Sequence, residues 1–237
     1  MSEQGVRIIA DGRGDASVAD SEKEWGASVR RSRQRWLKRS LDVVITLVLL
    51  VLMLPTLLII AGLVRLSSPG PVLFRQRRIG RDGEAFTLLK FRTMYENSNS
   101  AVHESYVRSL IAGTAEAVGD TFKLQRDVRV TRVGRVLRRL SLDELPQLLN
   151  VLAGNMSLVG PRPPLPYEVA VYSRRARRRL EVTPGLTGLW QVSGRSNLDF
   201  QQMIDLDLAY IERWSMWMDL QILARTPLIV FTGRGAC

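Results

Sequence analysis

Apolar positions crowd into one long run near the start of the chain and then recur at shorter spacings. Residues 1–28 are rich in Gly, Asp, Ser and Glu and show no apolar period, which predicts a disordered tail. "LDVVITLVLLVLMLPTLLIIAGLVRL" follows at 41–66, with no charged residue from Val43 to Val64. About 20 apolar residues suffice for a helix to span a bilayer. "SSPGP" at 67–71 then stops the helix and turns the chain. "VLFRQRRIGRDGEAFTLLKFRTM" predicts two strands around Asp82-Gly83. Residues 95–120 are polar and partly helical in pattern, a loop with one helix. "LPQLLNVLAG" predicts an apolar helix, and "LTGLWQVSGRS" a loop. The fold class is therefore mostly α with a small β-hairpin or sheet (α+β).

Charge changes the picture of the apolar run. The chain of 237 residues carries a formal net charge of +11. Such a balance implies a polyanionic partner: nucleic acid, anionic lipid or a phosphorylated substrate. "RRSRQRWLKRS" precedes the run, and Arg65, Arg75, Arg77, Arg78 and Arg81 follow it. A single crossing would export one of these clusters, against the preference of positive charge for the cytoplasm. Pro55, near the middle, removes one helix hydrogen bond. Two courses fit: a re-entrant helix broken near Leu54-Pro55, favoured by the charges, and a plain kinked transmembrane helix. The expected organisation is a tail (1–28), a basic segment with the membrane helix (29–66) and a catalytic domain (67–237). A polar, mixed-charge N-terminus argues against a signal peptide.

Side-chain chemistry narrows the function. The one cysteine, Cys237, excludes an internal disulfide or a cysteine metal site. The one histidine, His103, reads as a solvated residue rather than a catalytic one. Arginines recur at 126, 129, 132, 135, 138 and 139 with few acids beside them, so an anion is expected near. Ser141-Leu-Asp-Glu144 matches a capping box, which gives Glu144 a purely structural reading as the partner of Ser141. A second reading makes the acids chemical. A carboxylate at a helix start near arginines is held ionised and can act as a nucleophile. Neighbours on a helix point apart, so the two acids would have different tasks. Arg138, Arg139 and Arg162 suit a bidentate grip on phosphate. "GNMSLVGPRP" at 154–163 has the composition of a tight functional loop rather than a strand core.

The order "KRSLDVVI…P…SPGPVLFRQRRIG", "FTLLKFRTM", "RVGRVLRRLSLDELPQLLNVLAGNMSLVGPRP", "RLEVTPGLTGLWQVSGRS" and "DLDLAYIERWSMWMDLQILARTP" resembles the bacterial sugar transferase family from about Lys38 onward. These are polyprenyl-phosphate hexose-1-phosphate transferases, also called monotopic phosphoglycosyl transferases. The resemblance implies an enzyme on the cytoplasmic face of the bacterial inner membrane, with a re-entrant helix and interfacial amphipathic helices. It implies transfer of hexose-1-phosphate from a UDP-sugar to undecaprenyl phosphate, with release of UMP, in exopolysaccharide or capsule synthesis. By resemblance Asp143 is the nucleophile and Glu144 the partner acid associated with magnesium. Lys90 matches a basic active-site residue, Arg138 and Arg162 phosphate-gripping arginines, and Asp219 an acidic active-site position. Arg195, in "SGRSN", falls near the nucleotide or sugar. A homodimer is compatible.

Two further stretches bear on partners. "YSRRARRRLEV" at 172–182 suits a helix on anionic headgroups better than a nucleic-acid patch. Trp214 and Trp217 are three apart, expected on one helix face, in the core or at the bilayer interface. Two other functions fit part of the pattern. One is a glycosyltransferase that releases UDP. The other is a membrane-tethered basic module that binds nucleic acid or anionic lipid. The second gives no task to "LDELPQL" or "GPRP", and its basic runs lack the interleaved aromatics of nucleic-acid binders. No nucleic-acid partner is expected.

Overall fold

The computed structural model describes residues 13–95, 129–194 and 198–232, with side chains over 34–230 of these. His103, Arg126, Arg195, Cys237 and the loop expected over 95–120 beyond Tyr95 lie outside them. The chain divides into two compact units, Met1–Leu41 and Asp42–Cys237.

Helix α1 (Arg13–Ser67) begins well before the apolar run, inside the segment expected to be a disordered tail. Ala, Glu and Lys in this stretch are good helix formers, so the helix can extend backward from the apolar run. Its part from Gln34 to Ser67 is long and apolar enough to cross a membrane, with only 11% of its most apolar window buried. Pro55 lies inside the helix, which runs through it unbroken, so the break expected near Leu54-Pro55 does not appear; the proline removes one hydrogen bond without ending the helix.

Within the larger unit α1 is part of the core. Ile45, Leu49 and Leu50 pack on a cluster built from Leu88, Leu148, Val151, Leu158 and Tyr210. Further along, Leu57, Ile60, Ala61 and Val64 pack with Phe91 and Leu137. Between these two stretches Val51, Leu52 and Leu54 face outward. Buried Asp42 accepts hydrogen bonds from Ser157 Oγ (2.7 Å) and the Leu158 amide (3.2 Å). Arg92, also buried, donates to the Ser68 carbonyl at 2.6 Å, and so satisfies one of the carbonyls left open where α1 ends.

Strands β1 (Leu73–Ile79) and β2 (Ala85–Phe91) form the expected antiparallel hairpin, with Phe74 opposite Lys90. Asp82 takes a left-handed conformation (φ 58°) at the turn, which Asp tolerates well. Helix α2 (Arg132–Arg139) starts at Thr131, whose hydroxyl accepts from the Gly134 amide at 2.9 Å. A short 3-10 turn, Leu142–Glu144, leads to α3 (Gln147–Leu152).

Strand β3 (Ser157–Val159) is wholly buried, which corrects the reading of 154–163 as loop throughout. Three small or apolar residues in extended conformation were too few to show a strand period. β3 pairs in parallel with β4 (Gly185–Thr187). The segment after β3 passes so close to β4 that a Cβ on Gly185 would stand 2.0 Å from the Gly160 nitrogen.

The rest is helical: α4 (Pro166–Ala170), α5 (Arg174–Arg177), α6 (Leu189–Ser193), α7 (Phe200–Arg213) and α8 (Met216–Thr232). The arginines after Tyr172 largely serve α7 rather than a free surface. Arg175 pairs with Asp205 (2.9 Å), Arg178 with Glu212 (3.0 Å), and buried Arg179 with buried Asp207 (2.7 Å). Trp214 and Trp217 do not share a helix, because α7 ends at Arg213 and α8 starts at Met216. Trp214 packs on the core, whereas Trp217 is exposed.

Candidate active site

Ser141 decides how the acidic pair is presented. Its backbone is left-handed (φ 52°, ψ 20°) and its side chain caps no helix. A non-glycine residue there is strained, and such strain concentrates at functional positions. The capping box expected from Ser141 and Glu144 therefore does not form. A box needs an extended N-cap, and the left-handed residue instead feeds a 3-10 turn. Glu144 is released from a structural task and turns toward Arg162, with 3.3 Å from Nη1 to Oε1.

Asp143 is buried beside it. Burial and the neighbouring Glu144 charge push its carboxyl up to about 6, while Lys90 and Arg138 pull the other way. A helix start was expected simply to hold it ionised; desolvation outweighs that effect. Arg138, at the end of α2, donates from Nε to the Thr93 hydroxyl at 2.9 Å. Lys90 stands on β2 with its ammonium 5.1 Å from the ring centre of Phe74, its cross-strand partner. Burial, followed by repulsion from Arg78, lowers its ammonium to about 8.

Lys90, Glu144 and Arg162 line one cavity, together with Arg78, Gln147, Pro163, Gly185 and Gln191. Arg78 was legible only as one of several charges flanking the membrane helix, yet it is buried. Nη1 donates to the Pro163 carbonyl at 2.9 Å and Nη2 to Gln76 Oε1 at 2.8 Å. The Ile79 amide donates to the Pro164 carbonyl at 3.0 Å. Arg179 reaches the Arg162 carbonyl at 3.4 Å and the Tyr172 hydroxyl at 2.8 Å. Two buried arginines thus grip the backbone of the segment that carries Arg162. No sequence signal separates Arg78 from Arg75 and Arg77.

Asp219 does not line the cavity. It is buried, and accepts from the Tyr210 hydroxyl (2.8 Å) and the Trp214 indole (3.1 Å). The Val159 carbonyl, 3.1 Å from the same hydroxyl, shares its single proton with Asp219, so Tyr210 links Asp219 to the end of β3, just before the Gly160–Pro163 segment.

Asp143 and Arg138 are not among the residues that line the cavity; the arrangement there sets the Glu144 carboxylate among three cations, Lys90, Arg78 and Arg162, with Asp143 buried next to Glu144 in the chain. Among the described residues no group of three or more His, Cys, Asp or Glu side chains could hold a metal ion. Magnesium needs fewer: one or two carboxylates with substrate phosphates and water form its usual shell. Glu144 would supply one such carboxylate: one of its oxygens bonds Arg162 and the other makes no hydrogen bond among the described residues.

The profile of the family described as "Bacterial sugar transferase" matches residues 33–233. The exopolysaccharide production protein ExoY of Sinorhizobium fredii is 45% identical over 199 residues, covering 84% of this chain and 87% of that one. A UDP-glucose:undecaprenyl-phosphate glucose-1-phosphate transferase of Caulobacter vibrioides is 46% identical over 198 residues, 80% of this chain and 67% of its own. The undecaprenyl-phosphate galactose phosphotransferase of Salmonella typhimurium is 40% identical over 209 residues, 88% of this chain but 43% of its own. With the family profile matched over residues 33–233 and relatives of this identity and coverage, the protein is an enzyme of the bacterial sugar transferase family.

Proposed function

We propose that the enzyme transfers a hexose-1-phosphate from a UDP-sugar to undecaprenyl phosphate and releases UMP. The observation that carries this reading is Asp143, buried next to Glu144 and within electrostatic reach of Lys90 and Arg138, while Glu144 itself pairs with Arg162. A nucleophile that attacks a diphosphate needs its charge repulsion cancelled, and fixed cations do that. Asp143 attacks the phosphorus that bears the sugar. The bond from that phosphorus to the bridging oxygen breaks, and UMP leaves with the electron pair. The lipid phosphate then attacks the aspartyl phosphosugar, and Asp143 leaves as a carboxylate. Arg162 and Arg78 hold phosphate oxygens or the segment around them, and Lys90 stabilises the developing charge. Glu144 would hold magnesium, which supplies further neutralisation of the diphosphate. Arg195 belongs with the nucleotide or sugar by resemblance alone.

The second substrate is a lipid, so the site belongs at a membrane. Basic clusters flank the apolar part of α1 on both sides and Pro55 sits near its middle, which supports a helix that enters one leaflet and returns, on the cytoplasmic face of the inner membrane. A product in exopolysaccharide synthesis follows from the relatives' names. The test is nucleotide release. Full-length protein in lipid, with magnesium and undecaprenyl phosphate, is offered UDP-glucose, UDP-galactose and UDP-N-acetylglucosamine separately. UMP from a donor supports the proposal; UDP would replace it with plain glycosyl transfer.

A further inference from the structure

Two buried amides stand on α3, three residues apart, and only one has a structural task. Asn150 is bonded at both ends: Oδ1 accepts from the Leu89 amide at 3.0 Å, and Nδ2 donates to the Thr87 carbonyl at 2.7 Å. Gln147 lines the cavity and is only 5% exposed, yet its amide makes no hydrogen bond among the described residues. Neither amide atom is sealed off, so the unpaired group stays within reach of a ligand in the cavity. Buried polar groups are seldom left unpaired, and each one asks for a reason.

Position and charge limit what this amide can meet. Gln147 follows Glu144 by three residues and Asp143 by four, and Leu145 and Pro146 between them are helical. That spacing puts the three side chains on one side of the turn. The cavity sets Lys90, Arg78 and Arg162 against one carboxylate, so it suits an anion. Arg78 is already turned to Pro163 and Gln76, and Arg162 to Glu144. A phosphate oxygen only accepts, and an amide tied at neither end is free to turn its NH2 toward one. Building on the transferase reading, we propose that Gln147 Nε2 donates a hydrogen bond to a non-bridging oxygen of the phosphate that carries the hexose.

Binding rather than turnover tests this. Full-length protein in lipid discs with magnesium, carrying Asp143→Asn to stop reaction, is titrated calorimetrically with UMP, UDP, UDP-glucose and UDP-galactose. Gln147→Leu in that background should weaken UDP and the bound UDP-hexose by a common factor of about fivefold to tenfold, and leave UMP unchanged. Gln147→Glu, which sets a carboxylate against the phosphate, should weaken them further. A loss confined to the UDP-hexoses would put the amide on a sugar hydroxyl, and an equal loss for UMP would put it on the nucleotide. Either result overturns the proposal, as does unchanged binding. The amide has no partner in the protein to lose, so Gln147→Leu should melt no lower than its parent. A variant that unfolds would give Gln147 a structural task and refute the proposal as well. In the wild-type assay, UDP in place of UMP would overturn the transferase reading and leave the binding result standing.

Discussion

Arg78 on β1 and Pro163 after β3 are joined by a hydrogen bond of 2.9 Å across 85 residues of chain. The bond fixes the segment that brings Arg162 to Glu144. A lysine could not hold both Pro163 and Gln76 from one point charge. Arg78→Lys is expected to lower kcat/KM for UMP release tenfold or more. Arg78→Met should also cost about 1.5–3 kcal/mol of stability, because buried acceptors lose a charged donor. Thermal unfolding measured beside the rate separates the two effects, and full activity in Arg78→Lys would refute the role.

Activity should follow a bell-shaped pH profile. Asp143 must be ionised to attack, and its carboxyl is pushed up to about 6, so kcat/KM rises with pH through that value. Lys90 must be charged to stabilise the phosphate, and its ammonium is lowered to about 8, so kcat/KM falls above it. A profile flat from pH 5 to 9 would contradict both assignments.

The raised carboxyl also has a stability consequence of definite sign. A group whose pKa is higher in the folded state stabilises it below the unfolded pKa, and that contribution is lost as pH rises through the folded value. At pH 7 and above, ionised Asp143 is therefore a cost to the fold. Asp143→Asn should abolish UMP release yet raise stability by roughly 1–3 kcal/mol at pH 8. The gain should shrink toward pH 4. A variant equally stable or less stable than the parent at pH 8 would show that the carboxylate is not destabilised there.

Asp219 offers a contrast among the acids. Asp219→Ala strips a partner from a buried tyrosine hydroxyl and a half-buried indole, and should cost about 2–4 kcal/mol. Asp219→Asn keeps one acceptor and should retain a large part of the activity once corrected for the folded fraction. A fully folded but inactive asparagine variant would instead make Asp219 a direct participant.

Topology can be read by labelling. With Cys237→Ser as background, single cysteines at Arg35→Cys and Arg75→Cys flank the apolar run. In right-side-out and inverted vesicles both should react with an impermeant thiol reagent from the cytoplasmic side only. Reaction from opposite sides would establish a plain crossing.

The legible parts of the sequence were those whose signal is local. Asp82-Gly83 marked the hairpin, and the apolar run marked its helix. Asp143, Glu144 and Arg162 stood out by chemical type, and the structure brings the last two together. What stayed hidden depends on distant partners. Which arginine of β1 is buried is set by Pro163, far along the chain. Ser141 looked like a helix cap because its residue type favours one, but its backbone is left-handed and its side chain makes no cap. The arginines after Tyr172 looked free because their acids sit on α7, outside any local window. Gln147 carries no charge and announces nothing until its neighbours are in place.

The bonds from Ser157 and Leu158 to Asp42 bear on how this enzyme could be handled or evolve. An anchor attached through a linker can be cut away, and the remainder still works. Here the apolar helix supplies a carboxylate to the strand that leads into the active site, and its two ends fill two core clusters. Removing it would open the protein rather than free it. A water-soluble form would have to be made by repainting, with polar residues at outward positions such as Val51, Leu52 and Leu58 and the inward ones untouched. The helix apolar enough to enter a bilayer and the strand that leads to the candidate site are, in this chain, parts of one folded unit.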